Sequence, residues 1–298
     1  MIFAPDGLAP IDGWALAAIV AKALAYAVAL LAAGGPLVLA ALPRMSEGGR
    51  ALAMRLAVGA AILGAFVLAL RVGVRAARIS GMGLDGALDA TMLSIVWESP
   101  LGSAGVLRLI AYGFILLLLL RAVWARRMAL VGSVLLGVSF AQVGHSLGEP
   151  RWILGVLVTV HILAASFWVG ALAPLSRAAV HGDAAALHRF GTLAVWAVGA
   201  LVLVGVAFAY LMSDAAPGSL FGTAYGWTLF AKLGLVSGLL GLAALNKLRL
   251  VPAIAQGEPD ASLRLKRSIA AEWTLVTAIL LVTAFMTSVT VPPVNLGG

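Results

Sequence analysis

Val160-His161-Ile162-Leu163-Ala164-Ala165-Ser166-Phe167-Trp168-Val169-Gly170-Ala171-Leu172-Ala173-Pro174-Leu175 lies inside a longer apolar run and holds a histidine where a lipid-facing helix would hold a leucine. An ionisable side chain in a membrane span costs free energy, so it faces protein or a path and has a function by default. At helical spacing His161, Ala165, Trp168 and Leu172 follow steps of four, three and four and share one face. The imidazole then projects beside a small residue, with an indole about two turns further along.

The chain around this stretch is 62% hydrophobic and 11% charged. Its mean hydropathy is +1.07. A soluble domain of 298 residues cannot bury so much apolar surface, so the fold class is an all-α polytopic membrane bundle. A span needs about 20 apolar residues. Eight runs qualify, roughly 14–42, 51–74, 102–124, 128–146, 152–176, 188–212, 227–250 and 269–291. No long polar insertion separates them, so residues 1–298 read as a single transmembrane domain.

Lysine and arginine in the connections give the orientation. Arg44, Arg50 and Arg55 follow the first span, and Arg121, Arg126 and Arg127 the third. Arg177 and Arg189 follow the fifth, and Lys247, Arg249, Arg264, Lys266 and Arg267 the seventh. These connections are expected to be cytoplasmic, which leaves both termini periplasmic. Met1 to Gly13 lacks a basic n-region, so no cleaved leader is expected. The net charge of +8 serves this orientation, and no nucleic acid is expected as a partner. The segment from Ile79 to Pro100 is too polar to span. Leu84, Leu88, Met92 and Ile95 recur at helical spacing and predict one short amphipathic helix on the outer surface.

There is no cysteine, which excludes disulfides, thiolate copper sites and covalent c-type haem. A soft-metal site would have to use methionine and histidine. His161 lies about 15 Å inside span five. His145 sits at the outer end of span four, one short loop away. The two imidazoles open onto one cavity, or else His161 bonds a neighbouring helix and His145 caps a helix end. Met92 and Met286 lie on the same side of the membrane, although methionine is also ordinary core filler. His145, His161, Met286 and Met92 are thus the candidate metal ligands.

His181 and His188 read as loop residues between spans five and six. Glu272, one turn inside span eight, is either a relay group or a helix N-terminal charge favoured by the dipole. Lys22 and Lys232 are further charges in spans, and Lys22 calls for a buried partner. Gly234 and Gly238 predict close helix packing in span seven. No phosphate-binding loop is present, so energy would come from an ion gradient or the membrane potential. The potential is worth about 2.3 kcal/mol per charge per 100 mV.

Three ordered motifs carry a family resemblance. The first is Gly144-His145 followed by His161 and Trp168-Val169-Gly170-Ala171-Leu172. The second runs from Phe221-Gly222-Thr223 through Trp227 and Lys232 to Asn246-Lys247. The third is Arg267-Ser268-Ile269-Ala270-Ala271-Glu272, with Pro292-Pro293 closing the span. From span three onward the chain resembles the copper resistance protein D (CopD/PcoD) family of bacterial inner-membrane proteins.

The resemblance implies copper transport or handling, with copper taken inward and a periplasmic CopC-type copper-binding protein as partner. His145, His161, Trp168, Lys232, Asn246 and Glu272 match its motifs. Glu272, Trp168, Lys232, Lys22 and Asn246 are accordingly candidate path or structural polar residues. A transporter rather than an enzyme is expected, with copper ion and the lipid bilayer as its other partners. The alternative is a haem b-binding membrane oxidoreductase, since the His161–Trp168 pattern is also similar to HemJ-like protoporphyrinogen oxidases. A copper-sensing or assembly protein is a third reading.

Overall fold

The computed structural model describes residues 7–144, 150–211 and 221–290. His145 lies outside the described residues. Eight helices are long and apolar enough to cross a membrane, and the described residues contain no strand.

In chain order these are α1 (Gly13–Ala41), α2 (Glu47–Ser80), α5 (Pro100–Leu116), α6 (Val123–Ser139), α7 (Arg151–Val180), α8 (Ala184–Leu211), α9 (Ala224–Leu245) and α11 (Ala261–Val289). Two short helices, α3 (Leu84–Leu88) and α4 (Ala90–Trp97), follow α2, and α10 (Val251–Ala255) follows a π-helical turn at Asn246–Leu250.

Local chemistry sets the helix starts. Asp12 caps α1, its Oδ1 accepting from Ala15 N at 2.6 Å. Ser99 caps α5, with Pro100 in the first turn, where a missing N–H costs nothing. Thr223 caps α9 by accepting from Gly226 N at 3.2 Å. Gly81, at φ 69°, ends α2 in the left-handed conformation that glycine tolerates.

Several helices outrun the apolar segments that announced them. The α2 helix continues to Ser80, and α11 begins at Ala261, before Arg264, Lys266 and Arg267. Hydropathy marks the part of a helix in hydrocarbon, and charged turns continue beyond it. His188 consequently lies within α8 and not in a loop. Glu272 lies about three turns inside α11 rather than one. The expected amphipathic segment is two helices, because Asp89 stops the first and caps the second, accepting from Met92 N at 2.8 Å. Leu84 and Leu88 of that segment are exposed.

The first helix is the hub, packing on α2, α7, α6 and α11. Its Gly34 and Gly35 make this density feasible. A Cβ on Gly34 would lie 2.8 Å from the Cα of Gly170 in α7, and one on Gly35 would lie 2.9 Å from the carbonyl oxygen of Ala53 in α2. Without a hydrophobic drive between helices in lipid, such close backbone approach supplies the packing attraction. Ser133 of α6 adds a buried bond to the Ala33 carbonyl of α1 at 2.8 Å.

One core cluster joins α1, α7, α8 and α11 through Leu30, Trp168, Leu172, Leu187, Leu265 and Ile269. Another joins α1, α2, α5 and α6 through Val28, Val67, Tyr112, Ile115 and Leu136. In contrast, α9 sits at the edge against α11. Among the described residues a Cβ on Gly234 would meet nothing within 4 Å and one on Gly238 would meet Leu275 at 3.7 Å, so these glycines show no close helix packing there.

Candidate functional site

Glu272 is a carboxylate in the middle of a membrane helix, 4% exposed. Burial of such a group is tolerable only with hydrogen-bond partners. Two neutral donors supply them. Trp168 Nε1 of α7 donates to Oε2 at 3.1 Å, and Asn246 Nδ2 of the π turn donates to Oε1 at 2.6 Å. Trp168 and Asn246 are themselves buried.

Each partner is positioned by its own helix. Trp168 packs edge-on against Phe190 of α8, ring centroids 6.0 Å apart. Two residues further along α7, Gly170 meets Gly34 at the hub. Asn246 opens the π turn, a local widening of the helix that re-aims side chains and recurs at functional sites. Its Oδ1 is buried with no hydrogen-bond partner.

A cavity of about 370 Å³ reaches this cluster. Its wall includes Trp168, Asn246, Lys247 and Glu272, with Leu172, Leu187 and Leu265 around them. Lys247 is exposed, so the cavity leads from the buried carboxylate toward the end of the bundle rich in lysine and arginine. Among the described residues the ion pair is Arg264–Glu258 at 3.0 Å, and Glu272 pairs with no cation.

His161 lies on α7 seven residues from Trp168, about 10 Å along the axis and on the same face. It is half-buried and makes no hydrogen bond among the described residues. Lys232 of α9, also half-buried, lies within electrostatic reach of it.

The other candidates are dispersed. Lys22 donates to the Thr287 carbonyl in the last turn of α11 at 2.6 Å, where helix-end carbonyls lack partners and favour a cation. Tyr26 Oη meets Thr287 Oγ1 at 3.3 Å in the same place. Met286 is buried on α11, about 21 Å along that helix from Glu272. Met92 packs against Val72, Ala76 and Leu101, away from α7. Among the described residues no three His, Asp or Glu side chains converge.

Sequence reading singled out Trp168, Asn246 and Glu272 separately and missed that they form one unit. It also missed the mooring of Arg108, which is 4% exposed. Its Nε donates to Ser139 Oγ at 3.1 Å, and its guanidinium lies 4.6 Å above the Phe140 ring. The adjacent Ser139-Phe140 pair was the available signal, once α5 and α6 were known to be antiparallel neighbours.

Residues 184–286 match the family model described as Copper resistance protein D. The chain is also 29% identical over 179 residues to the copper transport protein CutJ of Bacillus subtilis (strain 168). That alignment covers 57% of this chain and 31% of the relative, so the chain spans under a third of the relative's length. No solved structure matches. The two matches bear out the family resemblance read from the sequence and support a copper-related membrane function. With the eight apolar helices, they fit a multi-pass protein of the inner membrane.

Proposed function

For a chain that shares the copper resistance protein D region over its last three spans, we propose that it carries copper ions across the inner membrane, from the periplasm to the cytoplasm, through the helix bundle. The observation that carries this reading is the common face of α7. It aligns His161 with the Trp168–Glu272–Asn246 cluster, and the cavity continues from that cluster toward the basic end. A neutral imidazole suits copper in a chain without thiols. The matched segment, residues 184–286, builds the facing walls from α8, α9 and α11.

On the outer side an open groove of about 590 Å³ runs along α6 and α7 from Gln142 and Trp152 to Val160, the neighbour of His161. Copper enters here, delivered by a separate periplasmic protein of the CopC type. His161 is the first ligand within the described part of the path.

Uptake of copper into proteoliposomes of defined orientation tests this. His161→Ala is expected to lose about tenfold or more of the uptake, whereas His188→Ala, at an exposed position, stays at the wild-type rate. Equal uptake by His161→Ala and the wild type, or a haem absorption band in the purified protein, would overturn the reading. Lys232 adds a second expectation. Its ammonium opposes another cation at His161. Lys232→Gln should therefore tighten copper binding, by up to about tenfold in a titration of the detergent-solubilised protein.

A further inference from the structure

We propose that Glu272 is a proton-binding site of this protein, protonated while the path is empty and deprotonated when a copper ion occupies the inner half. The inference rests on the copper-path reading for its role. The site itself rests on geometry alone.

A buried carboxylate inside a membrane bundle needs a compensating positive charge or a proton. The groups around Glu272 supply no fixed charge. From α7 it faces the indole of Trp168, and from the π turn the amide of Asn246. His161 and Lys232 lie further toward the other end of the bundle, and Arg177 of α7 is exposed. On α8, His188 and Arg189 are exposed, and on α11 itself so are Lys266 and Arg267. Lys247 lines the same cavity with its side chain against Gly191 and is exposed. Glu272 forms no ion pair with any of them.

The amide of Asn246 serves both states of the acid. An ionised Glu272 accepts from Nδ2, which stands 2.6 Å from Oε1. When Glu272 is protonated, a half-turn of the amide presents Oδ1 as acceptor to the carboxyl O–H. That oxygen is buried and unpartnered in the present orientation, so the turn gives it its missing bond. Trp168 Nε1 only donates and holds the other carboxyl oxygen in both states.

The side-chain oxygens that line the cavity here are the carboxylate and one amide, too few for an alkali ion that must replace a hydration shell. The cavity gives the proton a route to the basic end of the bundle. The exchange balances without a further reactant: one proton leaves the carboxyl for water in the cavity as one copper charge arrives, and returns when copper departs.

Infrared difference spectroscopy of the purified protein across a pH titration, without copper, tests the site. The expected result is one carbonyl band of a protonated buried carboxyl that titrates with pH, disappears in Glu272→Gln and shifts in Trp168→Phe. Glu272→Gln is isosteric, and the Asn246 amide can turn to accept from the new amide, so the fold is retained. Absence of a band lost in Glu272→Gln would overturn the proposal. So would a band that responds to replacing sodium by choline at constant pH, which would identify an alkali-ion site instead. Adding copper to the wild type should release about one proton per ion bound, and Glu272→Gln should release none. Equal release from both would also overturn it. A band that titrates in a protein that shows no copper uptake in proteoliposomes would retain the proton site and reject the transport reading. Copper uptake with no such band would do the reverse.

Discussion

Gly170→Leu is expected to abolish the folded protein, or to leave so little that it aggregates on solubilisation. A Cβ at this position would stand 2.7 Å from the Cα of Gly34 and 2.7 Å from its carbonyl carbon. Neither atom belongs to a side chain that can rotate away. Overpacking a core costs about 1–3 kcal/mol when side chains can adjust. Here α1 and α7 would have to separate along their whole crossing, so the cost lies at or above about 3 kcal/mol.

The same separation would move Trp168, two residues away, off Glu272. Gly199→Leu on α8 is the matched control, because a Cβ there meets nothing within 4 Å. It should change stability by no more than about 0.5 kcal/mol. Thermal unfolding and size-exclusion profiles of the two variants in one detergent check this. Indistinguishable profiles would mean that the α1–α7 crossing does not govern the fold.

The second large effect is Trp168→Ala. Trp168 is 5% exposed and packs on Phe190. Deleting a buried tryptophan side chain costs about 3–5 kcal/mol through lost contacts and the cavity left behind. It also leaves one oxygen of Glu272 without a donor, which costs about 1–3 kcal/mol. Trp168→Phe separates the two contributions, since it keeps most of the ring and removes the N–H. It should lose only the smaller amount. Melting temperatures of both variants beside the wild type decide the matter. Equal losses would mean that the hydrogen bond to Glu272 dominates and the ring contributes little.

The eight spans were legible because hydrocarbon demands long apolar runs, and nothing else in a soluble chain imitates them. His161 was legible for the opposite reason, being an exception within such a run. Meeting of helix faces was not legible. Trp168 and Glu272 stand 104 residues apart, and Asn246 and Glu272 stand 26 apart. A sequence of nearly uniform hydrophobicity carries little rotational signal, because lipid-facing and protein-facing positions are both apolar. Close packing was expected at Gly234 and Gly238, whereas the close backbone approach is at Gly34 and Gly35. Asn246-Lys247-Leu248-Arg249-Leu250 reads as an ordinary basic helix end, and its hydrogen bonds alone reveal the π turn. The ends of α2 and α11 were misplaced because charged turns standing clear of the hydrocarbon are still helical.

That π turn has a consequence for how the site came to exist. An α-helix turns about 100° per residue, so one residue accommodated in a wider turn rotates everything on one side of it relative to the other. The aim of the Asn246 amide at Glu272 is therefore a matter of counting as well as of residue identity. Two chains with the same asparagine, tryptophan and glutamate, differing by one position between α9 and α10, would carry the same letters and not the same site.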